Sequence, residues 1–487
     1  MSNLSAARVD LQAMAKQIML EHGFEPDFSD AVEKQMASIQ PQRSEAASKG
    51  ARDLRGLLWS SIDNDTSRDL DQIEIVEQLS NGAVKVMIGI ADVDAFVPKA
   101  CPIDDHAAKE TTTVYTGVRN FPMLPEALST GVSSLLESQD RLAMVIEFVA
   151  AADGTVNSGT VYRALVQNKA QLTYGGIGPW LEGLAPPPAK VAASSDLMAQ
   201  LKIQSQVAQA LKKERYSHGA LNIDTNEVHP ILLNDKVVDV AKQEKNLATE
   251  LIEDFMVAAN GVVARLLLNV SSLRRVVKTP ERWDRIVQLA AAHGDRLPPA
   301  PDSKALNDFL LLQKQADPDH FADLSLAVIK LIGPGEYVLE RPGDPEMGHF
   351  GLAVQDYTHS TAPNRRFADV VTQRLLKAQI AGAPNPYSDG ELQSIARNCT
   401  QKENDARKVE REMTKRLAAV VMSDRIGEVF DAIVTGVTTQ GTFVRVLKPR
   451  LEGLLEQGRQ GLDVGDKLRV RLTRTDIQRG YIDFARA

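Results

Sequence analysis

The sequence has few of the features that mark secreted and membrane-spanning proteins. Among its 487 residues there are 2 cysteines, Cys101 and Cys399, so we expect neither a disulfide framework nor a cysteine-based zinc cluster. Both are interpreted as small buried hydrophobic residues. A long apolar run and a signal-peptide pattern are also absent, which predicts a cytoplasmic protein with no membrane partner.

Basic residues are also fewer than acidic ones. The formal net charge is -8 and the isoelectric point is about 5.6, which argues against a protein that coats nucleic acid with its whole surface. Residues 425–487 differ from the rest, because they carry 11 Lys or Arg against 8 Asp or Glu. Any contact with nucleic acid is therefore expected to be local.

An acidic stretch, residues 61–72, lies between two apolar runs. Residues 57–59 precede it, and Ile73, Ile75 and Val76 follow it. Beyond these, residues 80–82 read Ser-Asn-Gly, a tight-turn signal, and the branched residues Val84, Val86, Ile88 and Ile90 alternate strictly with other residues. This pattern predicts a β-hairpin, so the acids are expected on a loop that is held between strands.

Carboxylates at this spacing repel one another unless a counter-charge is present. The stretch contains no His or Cys, and oxygen-only ligands favour Mg²⁺, Mn²⁺ or Ca²⁺ over zinc or copper. A solvated acidic loop remains the alternative, since charged runs often lie at the surface. An EF-hand calcium loop is rejected, because Arg68 stands where that motif needs glycine and the flanks predict strands.

A second stretch, residues 357–369, carries the adjacent Arg365 and Arg366. Pro363 suits the first turn of a helix, and apolar residues then recur at helical spacing as far as Gly382. Both arginines are therefore expected near a helix N-terminus, where their forked side chains could bind phosphate oxygens. A salt bridge to Asp369 is the alternative, with about equal weight for Arg366 and less for Arg365.

Taken together, these stretches resemble the two hallmarks of the ribonuclease II/R family, whose catalytic domain is called RNB. The first is Asp63, Asp69 and Asp71, and the second is the run Thr361-Ala362-Pro363-Asn364-Arg365-Arg366-Phe367-Ala368-Asp369. The resemblance implies a processive hydrolytic exoribonuclease that degrades single-stranded RNA from its 3′ end to nucleoside 5′-monophosphates. It also implies Mg²⁺, with Mn²⁺ as a substitute, held by Asp63, Asp69, Asp71 and Gln72, while Arg365 holds the scissile phosphate.

Further residues are assigned to the substrate through the same resemblance. They are Tyr115, which would stack near the terminal nucleotides, Tyr174, which would limit the end product, Arg366, and Glu253 and Asn260 on a helical pattern over residues 247–269. The period of that pattern lets Glu253 and Asn260 face one cavity, and a helix edge that faces water is the alternative.

Three positions depart from the family pattern. Gln72 stands where a fourth Asp is usual, Ala362 replaces a Ser, and Ile223 stands where an aromatic residue is expected. An amide oxygen can coordinate a cation without charge, so we expect weaker metal affinity. A catalytically weak or inactive RNB-like protein that only binds RNA remains the alternative, and a nuclease for single-stranded DNA is a third option.

The domain plan follows from these patterns. We predict an α+β multidomain chain: a helical unit over residues 1–50, either a helix-turn-helix or a simple helical hairpin, an RNB catalytic domain over 51–422, and an all-β barrel over 425–487. The last segment resembles the oligonucleotide-binding (OB) barrel of a ribosomal protein, which implies RNA binding. Phe443 and Arg445 are the predicted RNA contacts, and Phe430 is assigned equally to the surface or the core. We expect a monomer.

Overall fold

The fold is described from a computed structural model of the chain, for residues 10–39, 50–223, 228–233, 236–242, 245–318, 320–345, 347–439, 441–449 and 451–487. Parts of the predicted N-terminal unit, residues 1–9 and 40–49, lie outside these ranges. The strands are β1 (Arg52–Asp53), β2 (Ser60–Asp63), β3 (Gln72–Gln78), β4 (Val84–Ala91), β5 (Val114–Tyr115), β6 (Asn120–Phe121), β7 (Asp140–Ala150), β8 (Val156–Gln167), β9 (Ala170–Thr173), β10 (Val228–Leu233), β11 (Lys236–Lys242), β12 (Ser272–Val276), β13 (Glu336–Glu340), β14 (Val429–Thr438), β15 (Gly441–Val446), β16 (Leu451–Gln457), β17 (Lys467–Asp476) and β18 (Tyr481–Arg486).

The helices all precede the last five strands. They are α1 (Leu11–Glu21), α2 (Asp30–Ser38), α3 (Pro102–Glu110), α4 (Tyr174–Leu181), α5 (Ala189–Ala192), α6 (Ser195–Ser217), α7 (Leu247–Leu266), α8 (Trp283–Ala292), α9 (Ser303–Ala316), α10 (Phe321–Ile332), α11 (Phe367–Ile380) and α12 (Asp389–Ser423). Short 3₁₀ segments cover Val93–Ala95 and Phe350–Leu352, and a π-helical turn covers Ala127–Val132. No helix within the described residues is long and apolar enough to cross a membrane.

A seven-stranded sheet in the order β1-β8-β7-β4-β3-β2-β9 forms the centre of the molecule. The predicted hairpin is confirmed as β3 and β4, which pair antiparallel with Val76 opposite Val86, and Gly82 provides the positive φ of +81° in the turn. Because side chains alternate along a strand, Ile73 and Ile75 pack on one face of the sheet and Val76 on the other. The second face is covered by α7, whose apolar stripe includes Phe255.

The predicted C-terminal barrel is confirmed as a closed five-stranded barrel in the order β14-β15-β16-β18-β17. Its core contains Phe430 and Phe484, whose rings meet edge to face at 6.4 Å. The end of α12 packs onto this core through Ala419 and Met422. A capping box of Ser388 and Glu391 begins α12, as the sequence predicted.

The N-terminal helices pack against two different parts of the chain. Helix α1 buries Met14, Ile18 and other residues of one stripe against α12 and the β5–β6 ribbon. Helix α2 instead buries Val32 in the core of the central sheet. The two helices are thus joined to the larger body through separate contacts.

The helix near Arg365 begins later than predicted. Helix α11 starts at Phe367 with Arg366 as its N-cap, so Pro363 lies in the preceding turn and not in the first helical turn. The reason is that residues 111–113 hold this segment extended: the Thr113 amide donates to the Arg365 carbonyl at 3.0 Å, and Phe367 donates to Thr111 at 2.8 Å. The expectation that both arginines lie beside a helix N-terminus is confirmed.

A buried guanidinium ties α11 to the loop after β4. Arg374 pairs with Asp94 at 2.7 Å and with Asp104 at 2.8 Å, and it also donates to the Val97 carbonyl. We expect Arg374→Met to leave the buried Asp104 without its counter-charge and Asp94 with Lys377 alone, and to destabilise the protein by about 3–5 kcal/mol. Urea unfolding followed by circular dichroism measures this loss.

The matched control is Arg341→Met. Arg341 also pairs with two aspartates, but its side chain is 49% exposed, so we expect a loss of about 1 kcal/mol or less. Equal losses for the two variants would contradict a stabilising role for the buried cluster.

Candidate active site

The acidic loop connects β2 to β3 and has its own internal support. Strand β2 ends at Asp63, whose Oδ1 accepts hydrogen bonds from the Ser67 hydroxyl and the Asn64 amide, both at 2.7 Å. Further along, the Leu70 amide donates to Ser134 Oγ at 2.9 Å, and that hydroxyl donates to the Arg68 carbonyl at 2.7 Å. The loop is therefore fixed before any ligand binds.

Asp71 is the most deeply buried acid of the loop, with 3% of its surface exposed. Its Oδ1 accepts the Asn364 amide at 2.9 Å, and its Oδ2 lies 3.6 Å from Arg365 Nε. Burial raises the pKa of Asp71 to about 8, although Arg365 and the Asn364 amide act in the opposite direction. One exposed arginine thus neutralises this buried carboxylate incompletely.

The other two predicted aspartates share the electrostatic environment of Asp71. Burial raises the pKa of Asp69, and the neighbouring charge of Asp63 raises it further. The charge of Asp69 in turn raises the pKa of Asp71. The hydroxyl of Tyr115 lies 3.4 Å from Asp69 Oδ2, so this tyrosine is also part of the cluster.

The predicted ligands carry the oxygen atoms that a hard divalent cation prefers, although their side chains are not gathered around a common point. All of the predicted ligands offer oxygen, and Asp71 lacks a full counter-charge. Across the described ranges, no three His, Cys, Asp or Glu side chains are arranged so that they could hold a metal ion. A cation at this site would therefore require the aspartate side chains to turn towards one another.

The adjacent arginines serve different partners. Arg366 donates from Nε and from Nη2 to the two oxygens of Asp369, at 2.9 and 2.8 Å, which is the salt bridge considered from the sequence. Asp369 also accepts the Ala362 amide at 2.8 Å, so it holds the turn that precedes α11. Arg365 is 48% exposed and points to Asp71 instead. Of the two, Arg365 is the one with free donors for an anion.

A cavity of about 210 Å³ opens beside Arg365. Tyr115, which is 39% exposed, lines it together with Thr112 and His359. The Tyr337 hydroxyl lies 2.7 Å from His359 Nδ1 on the inner wall, and burial lowers the pKa of His359 well below its usual value. A neutral imidazole and an aromatic ring thus flank the guanidinium.

Tyr174 lies on the other side of the acidic loop. It is the first residue of α4 and follows β9, whose Thr173 is in register with Asp63. The half-buried phenol has a raised pKa, because of burial first and then because of the charges of Asp63 and Glu74. The structure therefore places Tyr115 beside Asp69, and Tyr174 directly after the residue that pairs with Asp63.

Glu253 and Asn260 do not face a common cavity. Glu253 lies at the exposed edge of α7 and pairs with Lys245 at 2.9 Å. Asn260 is 2% exposed, and its Oδ1 accepts both the amide and the hydroxyl of Ser360 at 2.9 Å. Two helical turns separate the residues along α7, and Glu253 is exposed whereas Asn260 is buried against Ser360, so the structure does not bring them to a common cavity. Asn260 holds the loop that leads to Arg365.

The barrel places its two predicted RNA contacts on the outer surface of β15. Phe443 is half-buried, whereas Phe430 is 6% exposed and belongs to the core. The Arg445 guanidinium donates to Asp323 of α10 at 2.8 Å, so it joins the barrel to a helix outside it. Ile223 packs against a hydrophobic cluster around α8 and α9, which explains why an aliphatic side chain is accommodated there.

Sequence reasoning missed two residues that the structure places at the site. Asn364 supplies the amide that binds Asp71, and backbone contacts leave no signal in a sequence. Glu74 lies fully buried in β3, within reach of the charge of Asp63. A carboxylate between two isoleucines in a predicted strand was the signal that could have identified Glu74.

Comparison with known proteins shows which family the chain belongs to. The RNB domain matches residues 51–382, and the RNase II-type exonuclease C-terminal S1 domain matches residues 428–487. Ribonuclease R of Thermotoga maritima is 29% identical over 94% of this chain and 68% of its own length. Ribonuclease R of Escherichia coli is 28% identical over 94% of this chain and 60% of its own length.

The fold is also found among solved structures. Mycoplasma genitalium RNase R in complex with ribose-methylated single-stranded RNA aligns with a TM-score of 0.88 at 22% identity, and covers 98% of this chain and 78% of that one. The mixed catalytic body followed by a barrel is thus shared along nearly the whole chain. Because the RNB domain alone matches about two thirds of the residues, the chain belongs to the RNB domain family and carries the C-terminal S1 domain of RNase II-type exonucleases.

Proposed function

We propose that this chain is an exoribonuclease that hydrolyses single-stranded RNA processively from the 3′ end, with Mg²⁺ as cofactor and nucleoside 5′-monophosphates as products. The relatives that it matches are named ribonuclease R, and the RNB domain matches residues 51–382 of this chain. The observation that carries the proposal is the meeting of Asp71 with Asn364 and Arg365, which are almost 300 positions away in sequence.

Two groups at this meeting point have complementary tasks in phosphodiester hydrolysis. Arg365 presents an exposed guanidinium next to the acids, so it can bind the non-bridging oxygens of the scissile phosphate as negative charge develops there. Asp63, Asp69 and Asp71 would hold the cation, with the amide oxygen of Gln72 as a neutral ligand. A bound divalent cation would supply an activated water and neutralise the phosphoryl oxygens.

The tyrosines are suited to hold the end of the RNA strand. Base stacking on aromatic rings tolerates any sequence, which a degradative enzyme requires. Tyr115 is half exposed beside Arg365, and Tyr174 borders the acids from α4, so the two rings can contact the last nucleotides on either side of the scissile bond. Arg366 supports this arrangement by fixing the turn through Asp369.

A second candidate function is RNA binding without cleavage. Gln72 favours it, because a site with one carboxylate fewer binds a cation less tightly. Release of mononucleotides from a labelled RNA separates the two functions, and the same assay with a deoxyribose strand tests the option of a DNA nuclease.

Asp71→Asn should abolish cleavage while RNA binding persists. The substitution keeps the shape of the side chain but removes the buried charge that holds the cation, so we expect turnover to fall by about 10³-fold or more. Release of labelled 5′-monophosphates from uniformly labelled single-stranded RNA measures activity, and fluorescence anisotropy measures binding.

Asp65→Asn is the matched control, because Asp65 is an exposed acid in the same loop. Its activity should stay within about twofold of the wild type, as is typical of surface substitutions. Undiminished cleavage by Asp71→Asn would remove Asp71 from the mechanism.

Removal of the divalent cation should stop the reaction reversibly. Chelation by EDTA is expected to reduce mononucleotide release to background, and excess Mg²⁺ or Mn²⁺ should restore it, since hard oxygen ligands accept both ions. Analysis of the products by chromatography identifies the 5′-monophosphates. Full activity in EDTA would show that the acids act without a metal.

Phe443→Ala should weaken RNA binding by the barrel. Loss of one stacked base is worth about 1–3 kcal/mol, so the dissociation constant for a single-stranded oligonucleotide should rise by roughly 5- to 150-fold. Leu447→Ala, at another exposed apolar position of the barrel, is the control and should bind as the wild type does. Equal affinities for all three proteins would show that the outer face of β15 does not contact RNA.

A further inference from the structure

Strand β17 of the barrel carries a row of basic side chains on its outer face. Val470 and Leu472 of this strand are buried in the barrel core. Because side chains alternate along a strand, the residues between and before them point outwards. These outward residues are Lys467, Arg469 and Arg471, and all three are exposed. We call this row the basic stripe.

The basic stripe has little charge compensation from the protein itself. Among the described residues, no ion pair involves any of its three members. Arg471 Nη1 donates to the Gly427 carbonyl at 3.3 Å. Asp431 of β14 lies in register with Arg469 but does not form an ion pair with it. The basic stripe therefore presents uncompensated positive charge on a chain whose net charge is -8.

The spacing of the basic stripe fits the backbone of a nucleic-acid strand. Two residues along an antiparallel β-strand span about 6.8 Å, which is close to the separation of successive phosphates in an extended single strand. Strand β17 is paired along both edges, with β14 and with β18, so the backbone under the three cations is fixed. A polyanion with a regular repeat therefore matches both the charge and the geometry.

The surroundings of the basic stripe suit phosphates and not bases. Its register partners on β14 and β18 include no aromatic residue, since they are Ile433, Asp431, Val429 and Ala485. Bases stack on aromatic rings, whereas phosphate contacts position a strand without reading its sequence. Strand β14 separates β17 from β15 on one side, and β16 and β18 separate them on the other. The basic stripe is thus distinct from the predicted stacking position at Phe443.

We propose that the basic stripe is a second RNA-binding surface of the barrel, which holds the phosphates of the single-stranded substrate independently of its bases. This inference rests on the proposed function, since it takes RNA as the substrate. Phosphate contacts hold every sequence equally and let a protein slide along a strand, as processive degradation requires. The competing explanation is a solvated row of charges that binds nothing.

The two explanations differ in the salt dependence of RNA binding. Fluorescence anisotropy with a labelled single-stranded oligouridine, in EDTA and at increasing KCl concentration, gives the slope of log Kd against log salt concentration. Each phosphate that a protein neutralises on a single strand adds about 0.7 to this slope. We expect the triple variant Lys467→Gln, Arg469→Gln, Arg471→Gln to lower the slope by about 2 and to bind more weakly at low salt. A solvated row predicts the slope of the wild type.

The matched control removes the same number of charges outside the barrel. Lys34 of α2 and both Lys202 and Lys213 of α6 are exposed, and no ion pair involves them within the described ranges. Their triple change to Gln lowers the net charge equally but should keep the slope of the wild type. An equal loss of slope in the two triple variants would assign the effect to net charge and overturn the proposal.

Two further variants separate charge from folding. Arg469→Lys combined with Arg471→Lys keeps both charges, so the slope should stay that of the wild type, and a lost slope would overturn the charge-based assignment. Asp431→Asn removes the acid opposite Arg469 and should tighten RNA binding at low salt by about 1.5- to fivefold, as expected for an exposed charge. Weaker binding by Asp431→Asn would contradict the proposal. Thermal melting confirms that each variant is folded.

The identity of the polyanion is tested with other probes. A deoxyribose strand of the same length should show the same fall in slope in the stripe variant, because RNA and DNA share the phosphate. Vesicles of phosphatidylserine and phosphatidylcholine test an anionic membrane surface instead. Loss of vesicle binding by the stripe variant, with an unchanged slope for RNA, would assign the stripe to a membrane and overturn the proposal.

The same titration separates this inference from the proposed function. A wild-type slope in the stripe variant, with mononucleotide release intact, would overturn the role of the basic stripe and leave the exonuclease in place. A wild-type protein that binds no single-stranded RNA would overturn both. A reduced slope in the stripe variant, with the control variant unaffected, is the expected result.

Discussion

The site depends on one contact between two distant segments, in which the Asn364 amide and the Arg365 guanidinium meet the buried Asp71. Burial would otherwise favour the neutral acid, and these two donors only partly offset that tendency. Each segment is held by its own framework, the acidic loop by Ser134 and the arginine segment by Asp369. The fold thus holds an incompletely neutralised acid next to a free cationic side chain, which is the combination that phosphoryl chemistry uses.

Several polar residues near the site support it without reaching a substrate. The Arg366 guanidinium donates to Asp369, and the Asn260 side-chain oxygen accepts the Ser360 amide. Both contacts fix the segment that carries Arg365. The adjacent Arg365 and Arg366 therefore differ in the partners that they bind. The pairing of Arg365 with Asp71 at 3.6 Å is loose, so this guanidinium keeps donors available, whereas the pair of Arg366 and Asp369 is bidentate and short.

Local signals in the sequence were sufficient for much of the fold. The hairpin of β3 and β4 follows from its alternation and its Asn-Gly turn, and the start of α12 follows from its capping box. The start of α11 was placed too early because residues 111–113, far away in sequence, hold the preceding turn. Arg445 was assigned to RNA although it pairs with Asp323, since the docking of a barrel on α10 leaves no periodic pattern.

The balance of charge at the site, more than the identity of any one position, decides between a nuclease and a protein that only binds RNA. Gln72 taken alone favours the second, because it removes a charge from the acidic loop. The remaining aspartates still provide negative charge there, because Arg365 neutralises the buried Asp71 only in part. A cation responds to the total charge around it and to the freedom of the ligands to approach it. A missing aspartate is therefore by itself weak evidence for a missing activity.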